Sequence, residues 1–201
     1  MAALQETSFT GPTAAIQSST AHDDWLEDLG YSVSNLETYS GEAAALVGDG
    51  NFSETISLSW FGLSIPEDAR VVGIETSFWG ISAYEYIQSG QQLTISGSPT
   101  GDVKQHTSYW PTSWTEFTEG GSSDLWGCSI TAANINDGDV GLDFQVYNDG
   151  PTYAETPIVK TFLMKVYYYT PYGETVVAVA SASISKVAGV DTEAISRVGG
   201  A

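Results

Sequence analysis

The chain has few cysteines and few basic residues, and each shortage excludes classes of protein. A single cysteine, Cys128, allows no intrachain disulfide, and its apolar context after Trp126 predicts a small buried hydrophobe rather than a reactive thiol. Only 6 lysines and arginines stand against 25 acids, which gives a net charge of −19. This charge disfavours nucleic acid and anionic membranes as partners, because both require clustered basic side chains.

Long apolar runs and catalytic motifs are also missing. No segment approaches the roughly 18 consecutive apolar residues of a membrane-spanning helix, and MAALQETSFTG has neither the basic nor the apolar region of a secretory signal. We therefore expect that the protein does not insert into a membrane and that it is synthesised in a cytoplasm. The chain has no GxSxG, HExxH, CxxC or Walker motif, and its two histidines, His22 and His106, belong to no recognisable metal or triad motif. These absences predict that the protein is not an enzyme and holds no cofactor.

The acidic residues leave two chemical alternatives open. Glu75 with Glu85, or Glu116 with Glu119, have the side chains of a glycoside hydrolase, but such pairs arise by chance in a chain with 25 acids. Solvated acids on loops and outer strand faces are the favoured interpretation. The sequences GDGN at 48–51, NDGD at 136–139 and NDG at 148–150 resemble calcium-binding turns, with Asp137 and Asp139 as the best ligands, although they are also ordinary hairpin turns.

Alternating apolar and polar residues predict strands through most of the chain. The predicted strands lie within 52–65, 71–83, 91–97 and 141–147, with a short strand in 108–120 and a long one at 158–170. The phase slips by one after Trp60, which predicts a bulge. Bulk on both faces of 158–170 predicts a central strand between two layers. A single helical turn is predicted at 131–136, capped by Thr131 and ended by Asp137 and Gly138.

These elements predict an all-β protein, a single jelly-roll-like antiparallel β-sandwich with an extended N-terminal arm and a C-terminal tail. The predicted boundaries are an arm with little regular structure over 1–48, the sandwich over 49–170 and the tail over 171–201. The tail carries an 11-residue repeat, SISKVAGV at 183–190 and AISRVGGA at 194–201. It predicts either a disordered end or a peptide that docks on a partner through Ile184, Val187, Val190, Ile195 and Val198.

Aromatic residues beside acids predict a candidate platform for carbohydrate. Its members are Trp110, Trp114, Trp126, Tyr84, Tyr86 and Tyr153. Packing in the core or at the rim is the commoner role of aromatic side chains in a sandwich, and it is the alternative interpretation.

Four segments, in this order, resemble β-sandwich structural proteins of tailed-phage and prophage virions. They are LSWFGLSIPEDARVVGIET at 58–76, YWPTSWTEFTEGG at 109–121, SSDLWGCSITAANINDGDVGLDFQVY at 122–147 and KVYYYT at 165–170. The third is similar to a "DLWG…diN…FG" pattern, although Val140 and Gly141 stand where Phe-Gly is common. The C-terminal repeat is similar to the "I-x-K-V-x-G-V" repeats that end phage virion proteins. The acidic arm in front departs from the pattern.

The resemblance implies a non-enzymatic structural protein of a tailed virus particle, located in the virion. It would be a capsid decoration or cement protein, or a tail fibre or baseplate component. Its partners would be other virion proteins and further copies of itself in a homo-oligomer, contacted through the terminal arms. The alternative is a receptor- or carbohydrate-binding adhesin module on the virion surface, with a host surface glycan as ligand.

Within 122–147 we expect a structural role. Leu125 and Trp126 are predicted to plug one end of the sandwich, and Gly127 is predicted to let the chain pass close to the indole.

Overall fold

The computed structural model describes residues 3–17, 25, 31–84, 86–150, 154–170, 186–187 and 190–191. The chain divides into two compact units, Met1–Pro171 and Tyr172–Ala201. The first unit contains β1 (Leu4–Glu6), β2 (Ala14–Gln17), a 3-10 helix (Val33–Glu37), β3 (Glu42–Ala44), β4 (Ile56–Ser59), β5 (Arg70–Ile81), β6 (Ile87–Ile95), β7 (Ser98–His106), β8 (Thr115–Gly120), α1 (Ala132–Asn136), β9 (Val140–Asn148) and β10 (Ile158–Tyr169). In the second unit, β11 (Lys186–Val187) pairs antiparallel with β12 (Val190–Asp191).

No helix in the described part of the chain is long and apolar enough to cross a membrane.

Two antiparallel sheets form the sandwich, which confirms the predicted jelly-roll-like fold. Sheet A has the order β1-β10-β5-β8, and β3 also pairs with β10. Sheet B has the order β2-β4-β9-β6-β7. The strands alternate as the sequence predicts: in β9, Leu142, Phe144 and Val146 are buried, whereas Asp143 and Gln145 are half-buried on the outer face. Each sheet therefore has an inner apolar face and an outer polar face.

Aromatic rings fill the space between the sheets. Phe78 of β5 stacks on Phe117 and Phe162 at centroid distances of 5.0 and 5.4 Å, and it meets Phe144 of sheet B edge-on at 4.9 Å. Trp110 packs beside Phe78 at 5.6 Å and is fully buried. Aromatic pairs in these offset and edge-on arrangements contribute beyond the burial of their area, so this cluster is the centre of the core.

The segment 1–48, predicted to be an arm with little regular structure, contributes strands to both sheets. β1 pairs with the end of β10, where Leu4 lies opposite Tyr169, and β3 pairs with the start of the same strand, where Glu42 lies opposite Lys160. β2 pairs with β4 in sheet B. These are edge positions, and an edge strand needs backbone hydrogen bonds more than apolar bulk. A segment rich in Ser, Thr and Ala can therefore supply them.

The phase slip after β4 does not arise from a bulge, so that prediction is wrong. Ile56 and Leu58 are buried as expected, but Trp60 adopts a left-handed conformation with φ of +58°, and its side chain is 58% exposed. Gly62 follows with φ of +64°, and Ile65 returns to the core. Two left-handed residues beyond the end of the strand reverse the side-chain phase without disturbing the ladder.

A bulge does occur in β10. This strand pairs with β5 along one edge and with β1 and β3 along the other, as predicted for a central strand. Its register with β5 shifts between Lys160 and Leu163, and Thr161 in that interval has φ of +56°. A β-branched residue with this backbone conformation is strained.

Trp126 seals one end of the core, as predicted. It is fully buried, and its indole Nε1 donates a hydrogen bond to the carbonyl oxygen of Ile74 at 3.1 Å. The predicted role of Gly127 is wrong, because a Cβ there would lie 2.9 Å from the carboxylate of Asp102 rather than against the indole. Gly120 leaves the space for the indole instead, since a Cβ added at Gly120 would lie 2.5 Å from the indole nitrogen.

Cys128 follows this seal and is buried, which confirms its structural interpretation. Burial raises the pKa of its thiol, and the Asp102 carboxylate acts in the same direction. The nucleophilic thiolate is therefore disfavoured at neutral pH.

α1 forms where the sequence predicts a helical turn. Thr131 Oγ1 accepts a hydrogen bond from the backbone of Asn134 at 3.2 Å, and Asn134 Oδ1 accepts one from the backbone of Thr131 at 3.0 Å. This capping box has asparagine in the place usually taken by Glu or Gln. Asn136 then exchanges two 2.9 Å hydrogen bonds with the backbone of Ile65, which fixes the loop after β4. Gly138, with φ of +73°, ends the helix.

Glu155 gives a testable pH dependence of stability. Its side chain is buried, and burial raises the pKa of its carboxyl, while a 2.6 Å hydrogen bond donated by Ser82 only partly opposes this. The folded protein then holds a proton more tightly than the unfolded chain, so its stability falls as pH rises from the unfolded to the folded pKa. We expect Glu155→Gln, which keeps an acceptor for Ser82, to gain stability relative to the wild type over this interval.

Thermal melting of both proteins at a series of pH values from about 4 to 8 tests this expectation. The two curves of melting temperature against pH should diverge as pH rises, with the variant higher at neutral pH. Parallel curves would contradict the prediction.

Candidate functional site

The outer face of sheet B carries a groove along its middle strands. Two adjoining cavities of about 350 Å³ and about 190 Å³ share Phe52, Gly90 and Gln105 in their linings. Most of the other lining residues are outward residues of β9, β6 and β7, because successive side chains of a strand point to opposite faces. The lining is almost free of charge, with Asp143 as its one carboxylate among the described residues.

Strand register sets the outward side chains in rows across the sheet. In one row Ser57, Asp143, Gln92 and Val103 lie opposite one another on four neighbouring strands. In the next row Gly90 lies between Gln145 and Gln105. In the third, Tyr147 lies opposite Gln88. Residues far apart in the chain thereby become neighbours on one surface.

A pair of aromatic rings closes one end of the groove. Phe52 and Tyr147 form an isolated bridge, and their ring centroids are 4.6 Å apart with an interplanar angle of 36°. Phe52 is 60% exposed, so this residue lies at the surface instead of filling the core. Contiguous exposed apolar surface rimmed by polar residues marks interaction sites, and this pair of rings lies beside side-chain amides.

Gly90 provides the floor. It is the one residue in its row without a side chain, so the space above it stays open between Gln145 and Gln105. A Cβ added at Gly90 would meet only Val103 Cγ1, at 3.8 Å, which is ordinary van der Waals contact. The fold does not require glycine here, whereas the open groove does.

The polar groups of the groove are partly held in place and partly free. Gln145 Nε2 donates to the backbone of Ser53 at 3.0 Å, and Gln92 Nε2 donates to the backbone of Gly101 at 2.9 Å, so their amides have fixed positions. Both side-chain oxygens remain available as acceptors. The side-chain amides of Gln88 and Gln105 make no hydrogen bond to other described residues.

Asp143 is held by Ser57, whose hydroxyl donates a 2.6 Å hydrogen bond to its carboxylate. Burial raises the pKa of Asp143 above its usual range, and this hydrogen bond opposes the shift. The carboxylate is thus an oriented acceptor at the end of the groove away from the aromatic pair.

The predicted carbohydrate platform is not one surface. Trp110 and Trp126 are fully buried in the core and cannot contact a ligand, so the prediction is wrong for both. Trp114 directly precedes β8 of sheet A, and Lys160 Nζ lies 3.8 Å from its ring centroid. Tyr84 and Tyr86 are exposed, and Tyr86 packs edge-on against Tyr109 at 5.8 Å. Tyr153 lies outside the described residues.

The predicted calcium ligands belong to the turn after α1. Asp137 caps the helix, and Asp139 bonds through its backbone to Asn134 and Ser96. Within the described ranges, no group of three or more His, Cys, Asp or Glu side chains is placed to hold a metal ion. Calcium binding at this turn stays a prediction.

The carboxylates considered as glycoside hydrolase residues are not seen paired among the described residues. Glu116 and Glu119 are three residues apart on β8, so they point to opposite faces. Glu75 accepts a 2.7 Å hydrogen bond from the Tyr167 hydroxyl, which raises the pKa of Tyr167 to about 12. Its predicted partner, Glu85, lies outside the described residues.

Two of the five predicted docking residues fall in described strands. Val187 of β11 is paired with Val190 of β12. Ile184, Ile195 and Val198 lie outside the described residues, and docking by this segment stays a prediction.

No family model matches the chain, and no curated protein matches its sequence. Among solved structures, the chain is similar to a CBM4 module, with 11% identity and a TM-score of 0.42, covering 78% of this chain and 92% of the other. It is also similar to the N-terminal cellulose-binding domain of Cellulomonas fimi β-1,4-glucanase C, with 14% identity and a TM-score of 0.38, covering 70% of this chain and 86% of the other. A third similar structure is the xylan-binding module CBM15, with 11% identity and a TM-score of 0.38, covering 85% of this chain and 100% of the other. At these low values the likeness concerns the β-sandwich fold alone.

Proposed function

We propose that this protein is a non-catalytic carbohydrate-binding module that holds a neutral glycan chain in the groove of sheet B. The groove itself carries the proposal, because it joins an exposed aromatic pair to a series of side-chain amides over a glycine floor. A sugar ring has an apolar C–H face that packs on an aromatic ring, and its hydroxyl groups both donate and accept hydrogen bonds, as glutamine amides do. A nearly uncharged lining favours a neutral sugar.

The groove has the length for an oligosaccharide. Tyr147 and Asp143 mark its two ends on β9, and four residues of strand span about 13 Å at roughly 3.3 Å per residue. The ring of Tyr147, with Phe52, would hold one sugar residue. Asp143 and Gln92 would accept hydrogen bonds from hydroxyl groups of a residue further along the chain.

Binding to a panel of neutral oligosaccharides tests the proposal. Xylan, cellulose and β-1,3-1,4-mixed-linked glucan fragments are suitable first probes, since solved structures with this fold are named for these ligands. We expect Phe52→Ala to weaken binding roughly tenfold, the effect of losing about 1.4 kcal/mol at an aromatic anchor. Tyr84→Ala is the matched control, because Tyr84 is equally exposed and lies outside the groove. Loss of binding in the control alone would move the site to the predicted tyrosines.

Gly90→Val gives a second measurement that does not depend on the aromatic pair. The added methyl groups fill the floor of the groove, and the Cβ itself makes only an ordinary contact of 3.8 Å with Val103 Cγ1. We expect an unchanged melting temperature to within a few degrees, and binding too weak to measure by calorimetry. A variant that still binds at wild-type affinity contradicts the proposed position of the glycan.

The virion location and the assembly role remain a prediction from the resemblance of the four segments. Immunogold labelling of purified particles tests it separately, and a glycan groove is compatible with the adhesin alternative.

A further inference from the structure

Sheet A carries a second pocket on its outer face, where a lysine lies among three aromatic residues. Tyr39, Ser40, Trp79, Trp114, Lys160 and Thr161 line a cavity of about 290 Å³. This is the small end of ligand pockets, which measure about 300 to 1,000 Å³. The pocket lies on the opposite sheet from the groove proposed above, so the two sites are independent.

The backbone beneath the pocket is strained. Thr161 holds its left-handed conformation (φ of +56°) inside the bulge of β10, and its hydroxyl donates a 2.6 Å hydrogen bond to the carbonyl oxygen of Tyr39. That bond connects the bulge to the loop that presents Tyr39, whose side chain is 75% exposed. Strain in a β-branched residue persists only where the surroundings enforce it, and such residues cluster at ligand sites.

Lys160 has unused hydrogen-bonding capacity. Its Nζ lies 3.8 Å from the centroid of the Trp114 ring and 3.8 Å from Oε1 of Glu42. The second distance is too long for a hydrogen bond. Among the described residues, Lys160 Nζ donates no hydrogen bond, although an ammonium group has three donors. The Trp114 ring and the Glu42 carboxylate therefore position the cation, and its hydrogen-bond donors remain available to an anionic ligand that competes with Glu42.

We propose that this pocket binds a carboxylated sugar, a uronic acid residue. The sugar ring would pack on the aromatic walls, and its carboxylate would accept a charge-assisted hydrogen bond from Lys160. The three aromatic rings favour a sugar over a simple anion, because they provide apolar surface for a sugar ring. The lysine favours an acidic sugar over a neutral one, because it provides a positive charge. The negative charge of the whole protein opposes this ligand at long range, but salt at about 0.15 M screens such repulsion beyond about 8 Å.

The experiment uses the full chain and trisaccharides of galacturonic, glucuronic and mannuronic acid, each compared with its carboxyl-reduced neutral counterpart. Titration followed by tryptophan fluorescence at about 0.15 M salt reports on the ligand at Trp79 and Trp114. We expect at least one acidic trisaccharide to bind and its neutral counterpart to bind at least tenfold more weakly. Acetate at the same concentration should produce no response.

Matched lysine variants assign the effect to Lys160. Lys160→Met keeps the apolar stem and removes the charge, and it should reduce affinity roughly tenfold or more. Lys165→Met is the control, because Lys165 lies on the same strand, 4.2 Å from the ring centroid of Phe9 and 3.7 Å from Glu6, and does not line the pocket. It should leave affinity unchanged.

Glu42→Gln should strengthen binding, and a gain of affinity cannot result from misfolding. Removing its charge frees Lys160 from a competing carboxylate and removes repulsion toward the ligand. Equal binding of acidic and neutral trisaccharides, wild-type affinity in Lys160→Met, or no binding by any acidic trisaccharide overturns the proposal. Phe52→Ala should not affect these titrations, so failure here is distinguishable from failure of the sheet B groove.

Discussion

Trp126→Ala should lower the free energy of unfolding by about 3 to 5 kcal/mol, the cost of truncating a buried tryptophan. Two losses contribute to this value. The indole is fully buried, so its removal leaves a cavity at the end of the sandwich. The hydrogen bond from Nε1 to Ile74 also disappears, which leaves a carbonyl oxygen at this closed end of the core without that partner.

Urea denaturation of three variants separates these contributions. Trp126→Phe keeps most of the bulk and loses the hydrogen bond, so we expect it to cost about 1 to 3 kcal/mol. Trp60→Ala is the matched control, because Trp60 has nearly the same left-handed backbone (φ of +58° against +56°) but lies exposed. It should change stability by no more than about 0.5 to 1 kcal/mol. Equal losses at positions 60 and 126 would refute the assignment of Trp126 as the seal.

Gly120→Ala should destabilise the protein by about 3 kcal/mol or more, through backbone strain and a steric clash together. Its φ of +80° disfavours any side chain, and an added Cβ would lie 2.1 Å from the carbonyl oxygen of Ile74. That oxygen is the acceptor for the Trp126 indole, so a shift that relieves the clash also disturbs the seal.

Gly97→Ala isolates the strain from the clash. Gly97 has φ of +75° and no atom within 4 Å of an added Cβ, so only the backbone penalty of about 1 to 2 kcal/mol applies. Chemical denaturation should therefore rank Gly120→Ala well below Gly97→Ala in stability. Similar values for the two variants would show that the chain relaxes around Gly120.

The fold was predictable from the sequence wherever one strand face is apolar. β9 follows its alternation, β10 follows its long run of bulky residues, and α1 follows its capping residues. β7 was missed because SPTGDVKQH has almost no apolar alternation; an exposed edge strand can be polar throughout, and its proline falls near an edge where a missing donor is tolerated. The strands of the N-terminal segment were missed because they too lie at sheet edges and come from a segment rich in Ser, Thr and Ala.

The candidate groove was not predictable, because it depends on strand register. Phe52, Gly90 and Tyr147 are far apart in the chain, and nothing in their local sequences shows that they face the same side of sheet B. Aromatic residues could be found by composition, but Trp110 is fully buried in the core whereas Trp114, four residues later, is half-buried and lines the pocket on sheet A. A useful signal was present in β9, where Asp143, Gln145 and Tyr147 alternate with the buried residues.

The pairing of β1 with β10 has a consequence for how the protein is made. Leu4 finds its partner only when Tyr169 has been synthesised, so sheet A stays incomplete until nearly the whole first unit has left the ribosome. Contacts between such distant residues require a large loop to close first, which slows folding. During that interval the edge of β5 that later receives β10 is open to other strands, so chaperone binding, or rapid translation of the segment that forms β10, would favour correct assembly.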